Sequence, residues 1–105
     1  MKVCRYPLDV LGHQVLKLPL STQPLSVSLA WRKEGLIDLW ALVPEVAPLV
    51  SYDFYVVPSD DTMPAELSRH GMHAVGEMFI GTVVTPGHLV QGETDVWHVF
   101  LGPPQ

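Results

Sequence analysis

Apolar and polar residues alternate with a period of two along most of this chain. In residues 26–31, Val27, Leu29 and Trp31 alternate with Ser26, Ser28 and Ala30. In residues 51–57, Tyr52, Phe54 and Val56 alternate with Ser51, Asp53 and Tyr55. Side chains on a strand point to opposite faces in turn, so this period marks strands with one buried face. Similar segments occur at 2–10, 13–20, 36–43, 73–84 and 95–101, which predicts seven strands. Turn formers separate them: Gly12, Pro24, Gly35, Pro44 to Pro48, Pro58, Pro86-Gly87 and Gly102-Pro103. The segment WRKEGLIDLW reads as a hairpin, with residues 25–32 laid beside 36–43 and a tryptophan in each arm. The fold class this predicts is all-β, an antiparallel sandwich or small barrel.

One short helix interrupts the pattern. In DDTMPAELSRHG, Thr62 or Asp61 is placed to cap it, Pro64 falls in its first turn, and Gly71 stops it. The helix is expected over 63–70. The whole chain, 1–105, reads as one domain, with residues 102–105 as a frayed tail.

Residues 36–43 are apolar on both faces. Ile37, Leu39, Ala41 and Val43 share one face; Leu36, Trp40 and Leu42 share the other, with Asp38 its one charge. Antiparallel sheets usually turn one face to water. A strand greasy on both sides is central in a closed structure or covered by another chain, so association is expected.

Composition sharpens this expectation. Charged residues make up 16% of the 105 residues, against about 25% in typical domains. Charge is rarely buried, so the shortfall falls on the surface. The net charge is −5, and the six basic residues are scattered. No basic stripe exists to neutralise phosphates, which argues against nucleic acid as a partner. A single cysteine, Cys4, permits no intrachain disulfide. No apolar run is long enough for a membrane helix and no signal peptide is visible, so a cytoplasmic location is the default expectation.

The candidate chemistry is sparse. Five histidines, His13, His70, His73, His88 and His98, raise a metal reading, and His70 and His73 are spaced H-x-x-H. Gly71 separates that pair, and no third ligand stands at a fixed offset, so no metal or cofactor is expected. His98 shares a strand face with Val96 and Phe100, where a histidine bonded to a backbone carbonyl is the ordinary case. Cys4 reads as a small apolar filler. Ser59 lacks a G-x-S-x-G setting, and no glycine-rich phosphate loop or carboxylate pair stands out, so no catalytic residue is assigned. A binding site is looked for where Trp31, Trp40 and Tyr55 approach the 59–62 loop and the 69–73 turn. The aromatics would take a flat apolar surface, and Arg69, His70 and His73 an anion.

The matching stretches Leu16 to Pro19, Leu25 to Trp31, Leu39 to Val43, Met63 to Leu67, Ile80 to Val83 and Val96 to Phe100 resemble a group of small proteins of tailed bacteriophages and some bacteria. The likeness spans most of the chain. It implies a compact β fold and a phage-accessory context, and it brings no activity to transfer. The leading functional expectation is non-enzymatic: a homo-oligomer that binds a host protein or small molecule. A histidine- or metal-dependent hydrolase and a minor virion component are the alternatives.

Overall fold

The computed structural model describes residues 1–10, 12–30, 36–86 and 94–103. Among the described residues there are seven strands, β1 (Lys2–Asp9), β2 (Gly12–Pro19), β3 (Gln23–Leu29), β4 (Leu36–Val43), β5 (Leu49–Pro58), β6 (Phe79–Pro86) and β7 (Thr94–Leu101). Two helices, α1 (Ala65–Ser68) and α2 (Met72–Met78), lie between β5 and β6.

The strands form two antiparallel sheets, ordered β1-β4-β3 and β2-β5-β7-β6. The expected all-β sandwich is the fold. Alternation places its core. Leu8 from β1, Ile37 and Leu39 from β4, Leu18 from β2, Phe54 and Val56 from β5, Val83 from β6 and Val99 from β7 form one buried cluster. β3 completes it with Val27 and Leu29. The pairing Val27↔Leu39 and Leu29↔Ile37 sets the register of the β3–β4 hairpin. Trp40 lies opposite Ser26, and Trp31 falls outside the described residues.

At one edge the two sheets nearly touch. A Cβ on Gly81 of β6 would sit 2.9 Å from Val27 Cγ2 of β3. A missing side chain is what lets these edge strands stack so closely. One corner is closed by side chains instead. Tyr52 donates its hydroxyl proton to the Pro19 carbonyl at 3.2 Å and accepts the Thr22 amide at 3.2 Å, which satisfies the buried Thr22 backbone.

Three expectations need correction. The sixth strand, expected over 73–84, starts at Phe79, and residues 72–78 are helical. The helix pair is split at Gly71, whose φ of 86° suits a residue without a Cβ. α1 is shorter than expected and starts after Pro64, with no side-chain cap from Asp61 or Thr62. Finally, Gly102 is no frayed end. It is buried, its amide donates to the Asp53 carbonyl at 2.7 Å, and Pro103 is half-buried beside it.

The two helices cover the outward side of the four-stranded sheet. Tyr55, Val57 and Phe100 point away from the main core and meet Leu67 of α1, with Met63, Val75 and Met78 packed around them. This second cluster makes part of the molecule three layers thick.

Candidate functional site

The residues expected to converge are divided by the sandwich itself. Trp40 shares its strand face with Asp38 and Leu42, opposite to the buried Ile37, Leu39 and Ala41, so it looks outward from the three-stranded sheet. Tyr55 looks outward from the four-stranded sheet. The whole main core lies between them.

On the Tyr55 side, β2, β5 and α1 build a polar cluster. The register His13↔Tyr55 stacks the imidazole on the phenol ring, with centroids 4.7 Å apart and planes inclined by 17°. His13 Nε2 lies 2.8 Å from Asp53 Oδ1, a carboxylate almost wholly covered on the same strand as Tyr55. Charges from α1 complete the setting. Burial, then Asp53, then Glu66 push the Tyr55 phenol above its ordinary value of 10.0, while Arg69 pulls it down. Arg69 Nε also donates to His70 Nε2 at 3.4 Å, at the end of the α1 turn. So Tyr55 and Arg69 share one electrostatic neighbourhood, with His70 beside Arg69. His73 stands apart on α2, fully exposed and paired with Glu77 at 3.1 Å.

His13 and Asp53 were not legible as a pair. Forty positions separate them, and their meeting depends on strand pairing that no local pattern encodes. Among the described residues, no group of three or more His, Cys, Asp or Glu side chains is placed to hold a metal. His88 lies outside the described residues.

Raised phenol ionisation has a measurable consequence. A folded-state value above the unfolded one means that the fold favours neutral Tyr55. That contribution is fully present below the unfolded value of 10.0 and is lost as pH rises through the folded value. Urea midpoints measured across about pH 9 to 11 should fall, and fall less steeply in Tyr55→Phe. Tyr6, raised by burial and by Cys4, leaves part of the slope in place. Identical slopes in the two proteins would remove Tyr55 from this role.

On the Trp40 side, the outward face of the three-stranded sheet is laid out by register. Trp40 sits between Arg5 of β1 and Ser26 of β3, and Leu42 sits opposite Val3. Trp40 and Leu42 are half-buried, Val3 is 57% exposed, and Pro7, Ser26 and Ser28 are exposed. Trp40 Nε1 donates to Ser28 Oγ at 2.9 Å, which holds the indole against β3. Among the described residues, the charged positions on this face are Arg5, Asp38 and Asp9. Arg5 Nη1 and Asp38 Oδ2 lie 3.9 Å apart and balance each other; Asp9 stands at the end of β1.

A third feature is an open groove of about 410 Å³ between the start of β3, the end of α2 and the C-terminal segment. Pro24, Leu25, Met78, Phe79 and Ile80 line it together with Gln23 and Glu77, and Glu77 is the partner of His73.

A family model described as a domain of unknown function, DUF7352, matches residues 1–105. The chain belongs to the DUF7352 family. No curated protein and no solved structure matches it. The family description carries no enzyme activity. Among the described residues of this DUF7352 chain, no helix is long and apolar enough to cross a membrane.

Proposed function

We propose that this DUF7352 protein works by association, and that the outward face of the β1-β4-β3 sheet pairs with a second copy of itself. One comparison within the molecule carries the reading. Both β4 and β5 are apolar on two faces. On β5 the second apolar face, Tyr55 and Val57, lies beneath α1 and α2. On β4 the second face, Trp40 and Leu42, stays partly open beside the exposed Val3 and Pro7. An apolar centre of this kind, ringed by serines and a balanced ion pair, has the anatomy of a protein interface.

A second copy suits this face on electrostatic grounds. A two-fold contact sets each patch against its own duplicate, so an unbalanced charge would repel itself. Here Arg5 and Asp38 cancel within one face. The likeness of the strand motifs to small tailed-phage proteins supports an accessory role in an infected bacterium. In that role the dimer would present its helix-covered side, with Arg69 and His70, to a host factor.

Trp40→Glu tests the interface. Sedimentation at tens of micromolar should give a dimer for the parent and an 11.6 kDa monomer for the variant, with the thermal midpoint shifted by only a few degrees. The added carboxylate competes with Asp38 for Arg5 and sets an unbalanced negative charge against its own duplicate across the two-fold contact, so the dimer should not survive. A parent protein that is monomeric across this range removes the proposal. So does a variant that fails to fold, because it would make Trp40 a core residue.

A further inference from the structure

His98 is not the core histidine bonded to a backbone carbonyl that its strand pattern suggests. Both ring nitrogens face side-chain hydroxyls. Ser59 Oγ lies 2.7 Å from Nε2, and Thr82 Oγ1 lies 2.9 Å from Nδ1. Three elements build this line. The register Thr82↔His98 places the threonine on β6 beside the histidine on β7. Ser59 follows β5, and its amide donates to the Val96 carbonyl at 2.9 Å, which pins it to β7. The next residue, Asp60, turns the chain back with a φ of 67°. Aspartate tolerates that left-handed backbone.

A hydroxyl bonded to an imidazole whose far nitrogen is held by a third group is the arrangement that activates a nucleophile. We propose that Ser59 is such a nucleophile, that His98 is its general base and Thr82 its positioning residue, and that the site takes short, uncharged acyl esters. This site stands on the four-stranded sheet and is independent of the association face.

With Nδ1–H donated to Thr82, Nε2 carries the lone pair that receives the Ser59 proton. Ser59 Oγ then bonds to the acyl carbon, and the ester C–O bond breaks. The leaving oxygen takes the proton from Nε2 and departs as an alcohol. Water attacks the acyl–Ser59 carbon and gives a proton to Nε2. The carboxylic acid leaves as Ser59 Oγ recovers that proton. The enzyme ends as it began, with one ester and one water converted to an alcohol and an acid.

The substrate class follows from the surroundings. Ser59 and Thr82 are exposed and His98 is half-buried, so the reacting atoms are reachable. Val84, 54% exposed, lies opposite the half-buried Val96 on the same face, and the Phe79 ring centroid lies 6.5 Å from that of His98. These offer an apolar shelf for a short acyl chain. Asp60 and Asp61, directly after Ser59, disfavour an anionic one.

A biotinylated alkyl fluorophosphonate tests the nucleophile, and p-nitrophenyl butyrate tests turnover. Tandem mass spectrometry should find one phosphonyl group on Ser59, absent in Ser59→Ala. A positioned general base contributes about 10²–10⁴-fold, so His98→Gln should slow both reactions at least tenfold. Thr82→Val should slow them several-fold and Thr82→Ser should restore them. The last pair decides the matter if His98→Gln does not fold. Label on other residues, or equal rates in Thr82→Val and Thr82→Ser, would overturn the assignment.

Discussion

Phe54→Ala should destabilise this protein by about 3–5 kcal/mol. Phe54 is fully buried and heads the set of large, wholly enclosed side chains. Its strand has a neighbour on each side at this point, through Gln14↔Phe54 and Phe54↔Leu101. A backbone fixed by two ladders cannot sink into the void, so most of the cavity and its cost remain. Small domains hold about 5–15 kcal/mol in total, so the variant should sit near the edge of folding. Urea unfolding followed by tryptophan fluorescence reads the loss, and Phe79→Ala serves as its control. Phe79 is 45% exposed and packs on Phe100 with ring centroids 5.5 Å apart. Its truncation should cost less than half as much. Equal losses at the two positions would contradict the placement of the core between the sheets.

Leu67→Asp should separate the helices from the sandwich without unfolding the strands. Leu67 is the buried residue of α1, and it enters the outer cluster of Tyr55, Val57 and Phe100. α1 has four residues and α2 seven, far below the length at which an isolated helix persists in water. Their order therefore rests on docking. A carboxylate in the docking position carries a desolvation cost of several kcal/mol. The chain avoids it by releasing residues 65–78, and the loss is capped at the free energy of local opening. Hydrogen exchange should show amides of α1 and α2 approaching unprotected rates while those of β5 and β7 stay protected. Collapse of protection in both sheets would mean that the two clusters form one cooperative core.

The sandwich was legible because alternation is an unambiguous signal when one face is wet. Tyr52, Phe54 and Val56 share the inward face as their spacing requires. The second helix was hidden for a related reason. In residues 73–84 the apolar residues continue at strand-like spacing into β6, whereas 72–78 form a helix whose Val75 and Met78 pack on the outer cluster. The run Phe54-Tyr55-Val56-Val57 did carry a trace of the outer cluster, since a strand apolar on both sides needs two covers. The polar clusters were beyond reach. His13–Asp53 and Ser59–His98 join residues 40 and 39 positions apart. Their coincidence depends on the order β2-β5-β7-β6, and residue types alone cannot specify that order.

That strand order also governs how the chain finds its native state. Of the five strand pairings described, only β3 with β4 and β6 with β7 join neighbours in the chain. β1 reaches across to β4, β2 to β5, and β5 waits for β7. Long segments must be gathered before any of these ladders offsets the lost chain entropy. Acquisition of the fold therefore belongs in the millisecond-to-second range of β-sandwiches, and until β7 arrives β5, an inner strand of the larger sheet, has one open flank.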